Sequence, residues 1–132
     1  MIEEDYVSFE IAKLLKKKGF NPLECGMYYS IETGKKTTAL LTSLLACPTL
    51  QMTMKWLREE HDIHIAINIC YTENPKLFQP DYYVCVSSTV TGESLIKEMC
   101  PLVQDKSLTP KGFTSYEETC ESAIKYCLEN LI

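Results

Sequence analysis

Gly34-Lys35-Lys36-Thr37-Thr38 puts a glycine, two cations and two hydroxyls in one short run, the residue types that hold a phosphate. A true phosphate loop requires a glycine, four residues, and then Gly-Lys-Ser/Thr, so that successive backbone N–H groups wrap the phosphates before a helix N-terminus. Here the first glycine position holds Tyr29, and Lys36 stands where the hydroxyl belongs. What survives is a basic, hydroxyl-rich loop just beyond two tyrosines. Tyr28 and Tyr29, with Tyr82 and Tyr83 further along, fall in β-favouring stretches. If those strands adjoin, tyrosine faces and lysine ammonium groups converge on a flat anionic ligand, stacking its base and holding its phosphate. The candidate ligand site is therefore Tyr28, Tyr29, Lys35, Lys36, Thr37, Thr38 and Tyr83. Adjacent strand residues point to opposite faces, so one tyrosine of each pair belongs to the core.

The other reactive side chains do not assemble into a site by spacing. Cys25, Cys47, Cys70, Cys85, Cys100, Cys120 and Cys127 contain no C-x-x-C pair and are odd in number, which supports neither a zinc site nor a disulfide framework. Cys120 and Cys127, on one expected helix, would lie about 10 Å apart at 1.5 Å per residue, beyond disulfide reach. Reduced thiols packed as small core residues are expected. His61 and His64 could serve as metal ligands on a single helix, but His61 falls at a helix end and His64 on the strand that follows, without a third ligand. Glu59/Glu60 and Glu117/Glu118 are neighbours on helices and diverge by about 100°, unlike a catalytic carboxylate pair. No catalytic residue, metal or cofactor is assigned.

The elements that must position these residues can be read from periodicity and punctuation. Val7, Ile11, Leu14 and Leu15 form one apolar helical stripe, Lys16, Lys17 and Lys18 fill the last turn, and Gly19 stops the helix with Phe20 folding back on it. Residues 24–31 read as a strand, and the 38–46 run favours helix slightly over strand. After Pro48, Thr49 caps a helix carrying Leu50, Met54 and Leu57, in which Met52 and Met54 read as packing residues. "DIHIAINICY" and "DYYVCVSSTV" alternate with period two, exposing one face and burying Ile63, Ile65, Ile67 and Ile69 on the other. The short link between them favours antiparallel pairing. Gly92 marks a turn, and the 93–103 stretch suits a strand or a short helix. Ser115 and Glu118 have capping-box spacing ahead of a stripe of Tyr116, Cys120, Ala123, Ile124, Cys127, Leu128 and Leu131. The expected fold is α+β in two layers: an antiparallel sheet of about three to four strands against two to three helices, in one domain over 1–132.

Composition bounds the partners. The chain has 132 residues, 45% of them hydrophobic, and a net charge of −5, enough for one core and unsuited to duplex DNA, whose binding depends on neutralising phosphates. No apolar run reaches the roughly 18 residues of a spanning helix, and "MIEEDY" is unlike a signal peptide. A cytosolic location without membrane attachment is expected.

Three segments carry a resemblance. "YVSFEIAKLLKKKGFNP", "PTLQMTMKWLREEHDIHI" and "SYEETCESAIKYCLENLI" are similar to recurring blocks of a family of small uncharacterised proteins encoded by phages and prophages of gut Bacteroidales. The family offers no catalytic motif to transfer, and its blocks coincide with the three best helices, so they report scaffold. The resemblance implies an accessory protein in the host cytosol that acts by binding rather than catalysis. One form of this is counter-defence: sequestering a host immune signal, an anionic nucleotide-like molecule, or else a host protein. The alternatives are an interaction module that homo-oligomerises through the Leu40 to Leu45 surface, and an enzyme with an unrecognised site.

Overall fold

The computed structural model describes residues 3–20, 25–38, 44–71, 80–95 and 115–132, with backbone alone at 69–71, 80, 81 and 83. Among these residues the fold is α+β, in the order α1 (Phe9–Lys17), β1 (Tyr28–Ser30), β2 (Lys36–Thr37), β3 (Leu44–Ala46), α2 (Leu50–His61), β4 (Ile63–Tyr71), β5 (Pro80–Ser88) and α3 (Tyr116–Asn130). The strands form two antiparallel sheets, β2-β1-β3 and β4-β5. The chain divides into two compact units: residues 1–53 with 124–132, and residues 54–123.

The first unit is built on α1. Ser8 accepts a hydrogen bond from the Ile11 N–H at 3.3 Å and caps the helix start. At the other end Gly19 takes φ +90°, Gly19 N–H reaches Lys16 O at 3.2 Å, and Phe20 N–H reaches Leu15 O at 3.0 Å. This is the paired Schellman closure, with Leu15 and Phe20 both buried. Val7 lies outside the helix that the stripe suggested. It is extended, its N–H bonded to Pro48 O and its neighbour Tyr6 bridged to Thr49, yet it is fully buried. The remaining buried apolar residues of this unit come from α1 (Ile11, Ala12, Leu15), the small sheet (Tyr29, Leu45, Ala46), Cys25, Cys47, Leu50 and the end of α3 (Ile124, Cys127, Leu128). Glu10 and Lys125 form an ion pair at 3.0 Å, and Lys18 Nζ donates to Ile132 O at 2.6 Å.

Two further expectations in this unit are corrected. Residues 44–46, placed in a run that slightly favoured helix, form a strand paired with β1: Tyr28 opposite Ala46, Tyr29 opposite Leu45, Ser30 opposite Leu44. The leucine spacing mimicked a helix face, and pairing with β1 decided the conformation. Residues 39–43 lie outside the described residues. Met52, read as a packing residue, is 37% exposed, whereas Met54 is buried.

The second unit holds the β4–β5 ribbon. Nine paired positions run from Ile63 opposite Ser88 to Tyr71 opposite Pro80. Ile63, Ile65, Val84 and Val86 are buried, while His64, Asn68 and Cys85 are exposed, the alternation read from the sequence; Ile67, expected on the buried face, is half-buried, and the Ile69 side chain lies outside the described residues. Asp62 ends α2 at φ +56°, and its carbonyl accepts from Thr89 N–H at 2.9 Å. In α3, Ser115 Oγ accepts from Glu118 N–H at 3.1 Å, so the capping-box serine is in place. Cys120 and Ala123 are fully buried, but Tyr116, the first residue of the expected stripe, is 36% exposed and meets Tyr82 edge-on at 6.3 Å. The 93–103 stretch lies outside the described residues from 96 onward; before it, Leu95 N–H bonds Val86 O.

Candidate functional site

Gly34-Lys35-Lys36-Thr37-Thr38 turns out to be half turn and half strand. Gly34, at φ +68°, closes a tight turn in which its N–H bonds Ser30 O at 2.8 Å and Ser30 N–H bonds Lys35 O at 3.0 Å. Glycine suits that left-handed conformation because it has no Cβ to clash. Lys36 and Thr37 then pair with β1, Tyr28 opposite Thr37 and Tyr29 opposite Lys36. Directly opposed residues share a sheet face. Tyr28 and Thr37 therefore lie on one face with Ala46, and Tyr29 and Lys36 lie on the other with Leu45.

The Tyr29 face is core. Tyr29 is 8% exposed, its hydroxyl donates to Val7 O, and its ring meets Phe9 edge-on at 5.5 Å. Lys36 Nζ stands 5.0 Å from the centroid of the Tyr6 ring, a cation–π contact that draws the ammonium toward the protein. On the other face Tyr28 and Thr37 are half-buried; Lys35 and Thr38, flanking β2 at its two ends, are exposed, Lys35 on the alternation of Thr37 and Thr38 on that of Lys36. Tyr83 lies on β5 in the second unit, opposite Asn68. The structure thus joins Tyr28, Lys35, Thr37 and Thr38 on one hairpin, assigns Tyr29 to the core and Lys36 to the Tyr6 ring, and puts Tyr83 in the other unit. Nothing in the spacing signalled the Tyr6–Lys36 or Tyr29–Val7 contacts, since both depend on the extended segment before α1.

Two of the buried thiols are unsuited to be activated nucleophiles. Burial pushes Cys47 up to about 11, outweighing the lowering influence of the Tyr29 hydroxyl and the Lys36 charge, while Cys25 raises it slightly. Burial likewise pushes Cys127 up to about 12. Both remain protonated at neutral pH, the reverse of a catalytic thiolate. Cys25, Cys47, Cys120 and Cys127 are buried free thiols, as packing residues would be; Cys85 differs, being exposed on β5. His61 packs edge-on against Trp56 at 4.6 Å, and His64 stands exposed on β4. Among the described residues, no group of three or more His, Cys, Asp or Glu side chains is arranged to hold a metal, and no helix is long and apolar enough to cross a membrane.

The leucine surface considered for self-association is also changed. Leu45 is 4% exposed and Leu44 half-buried, and Leu40 and Leu41 lie outside the described residues. Comparison with protein-family models, curated proteins and solved structures finds no match to this chain.

Proposed function

We propose that this chain is a non-enzymatic phage or prophage accessory protein, working in the host cytosol, that binds an anionic nucleotide-like ligand on the β1–β2 hairpin. The observation that carries the reading is the hairpin register. It sets Tyr28 opposite Thr37 on one sheet face, with exposed Lys35 and Thr38 at the two ends of β2. A π face, hydroxyls and a cation within one ribbon are the groups that stack a base and bond a phosphate. Sequestration fits these groups better than turnover, because burial keeps Cys47 and Cys127 protonated and Tyr28, Lys35, Thr37 and Thr38 include no acid–base pair. Counter-defence by retaining a host immune nucleotide is the biological form of this proposal, and it rests on the resemblance of the three helical blocks to phage-encoded proteins.

A thermal-shift panel of cyclic dinucleotides, cyclic oligonucleotides and NAD-derived signals tests it. A ligand at 100 times its Kd stabilises the fold by about 2.7 kcal/mol, and the bound molecule should be recovered chemically intact at one per chain. Product formation in place of intact recovery would refute the non-enzymatic reading, and a flat panel would refute the nucleotide reading.

A further inference from the structure

A recess lies in the first unit, between α1 and β3. It has a volume of about 110 Å³ and is lined by Ala12, Lys16, Phe20, Leu44, Leu45 and Ala46. Five of these six are apolar, and the sixth carries a charge. Ala12 and Lys16 stand four residues apart on α1, so the helix presents them along one side. The Schellman closure at Gly19 brings Phe20 back to the helix end, where its ring closes the recess. β3 supplies the opposite wall. Lys16 is exposed, and among the described residues its ammonium has no ion-pair partner. Among the described residues no carboxylate lines the recess.

An apolar recess of this size admits an alkyl group, and a cation on a flexible stem at its mouth selects the charge of whatever head group that alkyl carries. We infer that this recess is a binding site for a short aliphatic carboxylate, the chain entering between Phe20 and Ala46 and the carboxylate meeting Lys16 at the mouth. Charge complementarity fixes the choice: a cationic amphiphile of equal length would place like charges together, and a neutral one would leave the ammonium unused. Ala46 lies on the sheet face of Tyr28 and Thr37, but the recess uses none of Tyr28, Lys35, Thr37 and Thr38, so its test reads different residues from the proposal above.

Hexanoate and hexylamine, titrated separately into the full chain and followed by ¹H–¹⁵N correlation spectra, decide the matter. Hexanoate should shift the amides of Lys16, Phe20 and Ala46 saturably, with hexylamine leaving them unmoved at the same concentration. Lys16→Gln, an exposed change that spares the fold, should weaken hexanoate about fivefold, the range of a solvent-exposed ion pair. Leu44→Trp, which crowds the recess from its half-buried wall, should abolish the saturable shifts. Equal binding of both probes, shifts centred elsewhere, or a Lys16→Gln variant that binds hexanoate as wild type does would each overturn the assignment. If Leu44→Trp does not fold, the probe comparison and Lys16→Gln still decide it.

Discussion

Tyr29 and Lys36 show how a side chain's surroundings decide whether it holds the fold or a ligand. The Tyr29 hydroxyl donates to Val7 O in a buried setting, so Tyr29→Phe leaves that carbonyl one partner short and should cost about 1–2 kcal/mol in urea unfolding. A ligand role would instead leave stability unchanged and alter binding. Lys36→Ala should cost about 0.5–1 kcal/mol, the worth of an exposed cation–π contact. Lys35→Ala, by contrast, should stay within about 0.5 kcal/mol of wild type and weaken nucleotide binding by about 1–3 kcal/mol if its ammonium makes a charge-assisted contact. Separating the two lysines is therefore more informative than changing both. The thiols give a pH prediction. Cys127 has an ordinary value of 9.0 and is pushed up to about 12 when folded. Between those values the unfolded chain has lost the proton and the folded chain keeps it. Stability contributed by the neutral buried thiol is therefore complete below pH 9 and declines as pH rises, by about 1.4 kcal/mol per pH unit for each such group. Urea midpoints measured from pH 8 to 11 should fall, and Cys127→Ala should flatten part of that slope.

At the scale of elements, the helix ends carry the clearest local instructions. Gly19 at φ +90° lets the last carbonyls of α1 find partners; Gly19→Ala forces a Cβ into that conformation and should cost about 1–2 kcal/mol. Ser115→Ala removes the α3 cap seen at 3.1 Å and should cost about 1 kcal/mol, read as a lower melting temperature with amide protection lost first at the start of α3. Both ends were legible because caps depend on residues within one turn. The 38–46 run was not legible, since leucine spacing there agrees with a helix and threonine content with a strand; pairing with Tyr28–Ser30, remote in mechanism from either signal, settled residues 44–46. The same pairing turned half of Gly34-Lys35-Lys36-Thr37-Thr38 from loop into β2.

At the scale of the whole molecule, the first unit is assembled from residues 1–53 and 124–132. Its last contributors, Ile124, Cys127 and Leu128, are all fully buried. Each aliphatic side chain withdrawn from water is worth about 1.5–3 kcal/mol, against a total stability of about 5–15 kcal/mol. Leu128→Ala should therefore cost about 2–5 kcal/mol, and a chain ending at residue 123 should lose protease resistance across residues 1–53. Persistent protection of those residues in the shortened chain would show that the first unit does not need the end of α3.

What the sequence by itself determined is local or periodic. The β4–β5 alternation, the apolar stripe of α3, the Gly19 stop and the packing of Cys120 and Cys127 follow from residue types a few positions apart, because a helix repeats in 3.6 residues and a strand in two. The tertiary structure alone decided which tyrosine faces inward, where Lys36 rests, and that Val7 is buried without being helical. It also decided that Tyr28 and Tyr83 belong to different units. Those outcomes depend on contacts between segments distant along the chain, such as Tyr29 with Val7 and Tyr6 with Thr49, and no short-range spacing encodes which distant backbone group will be the partner.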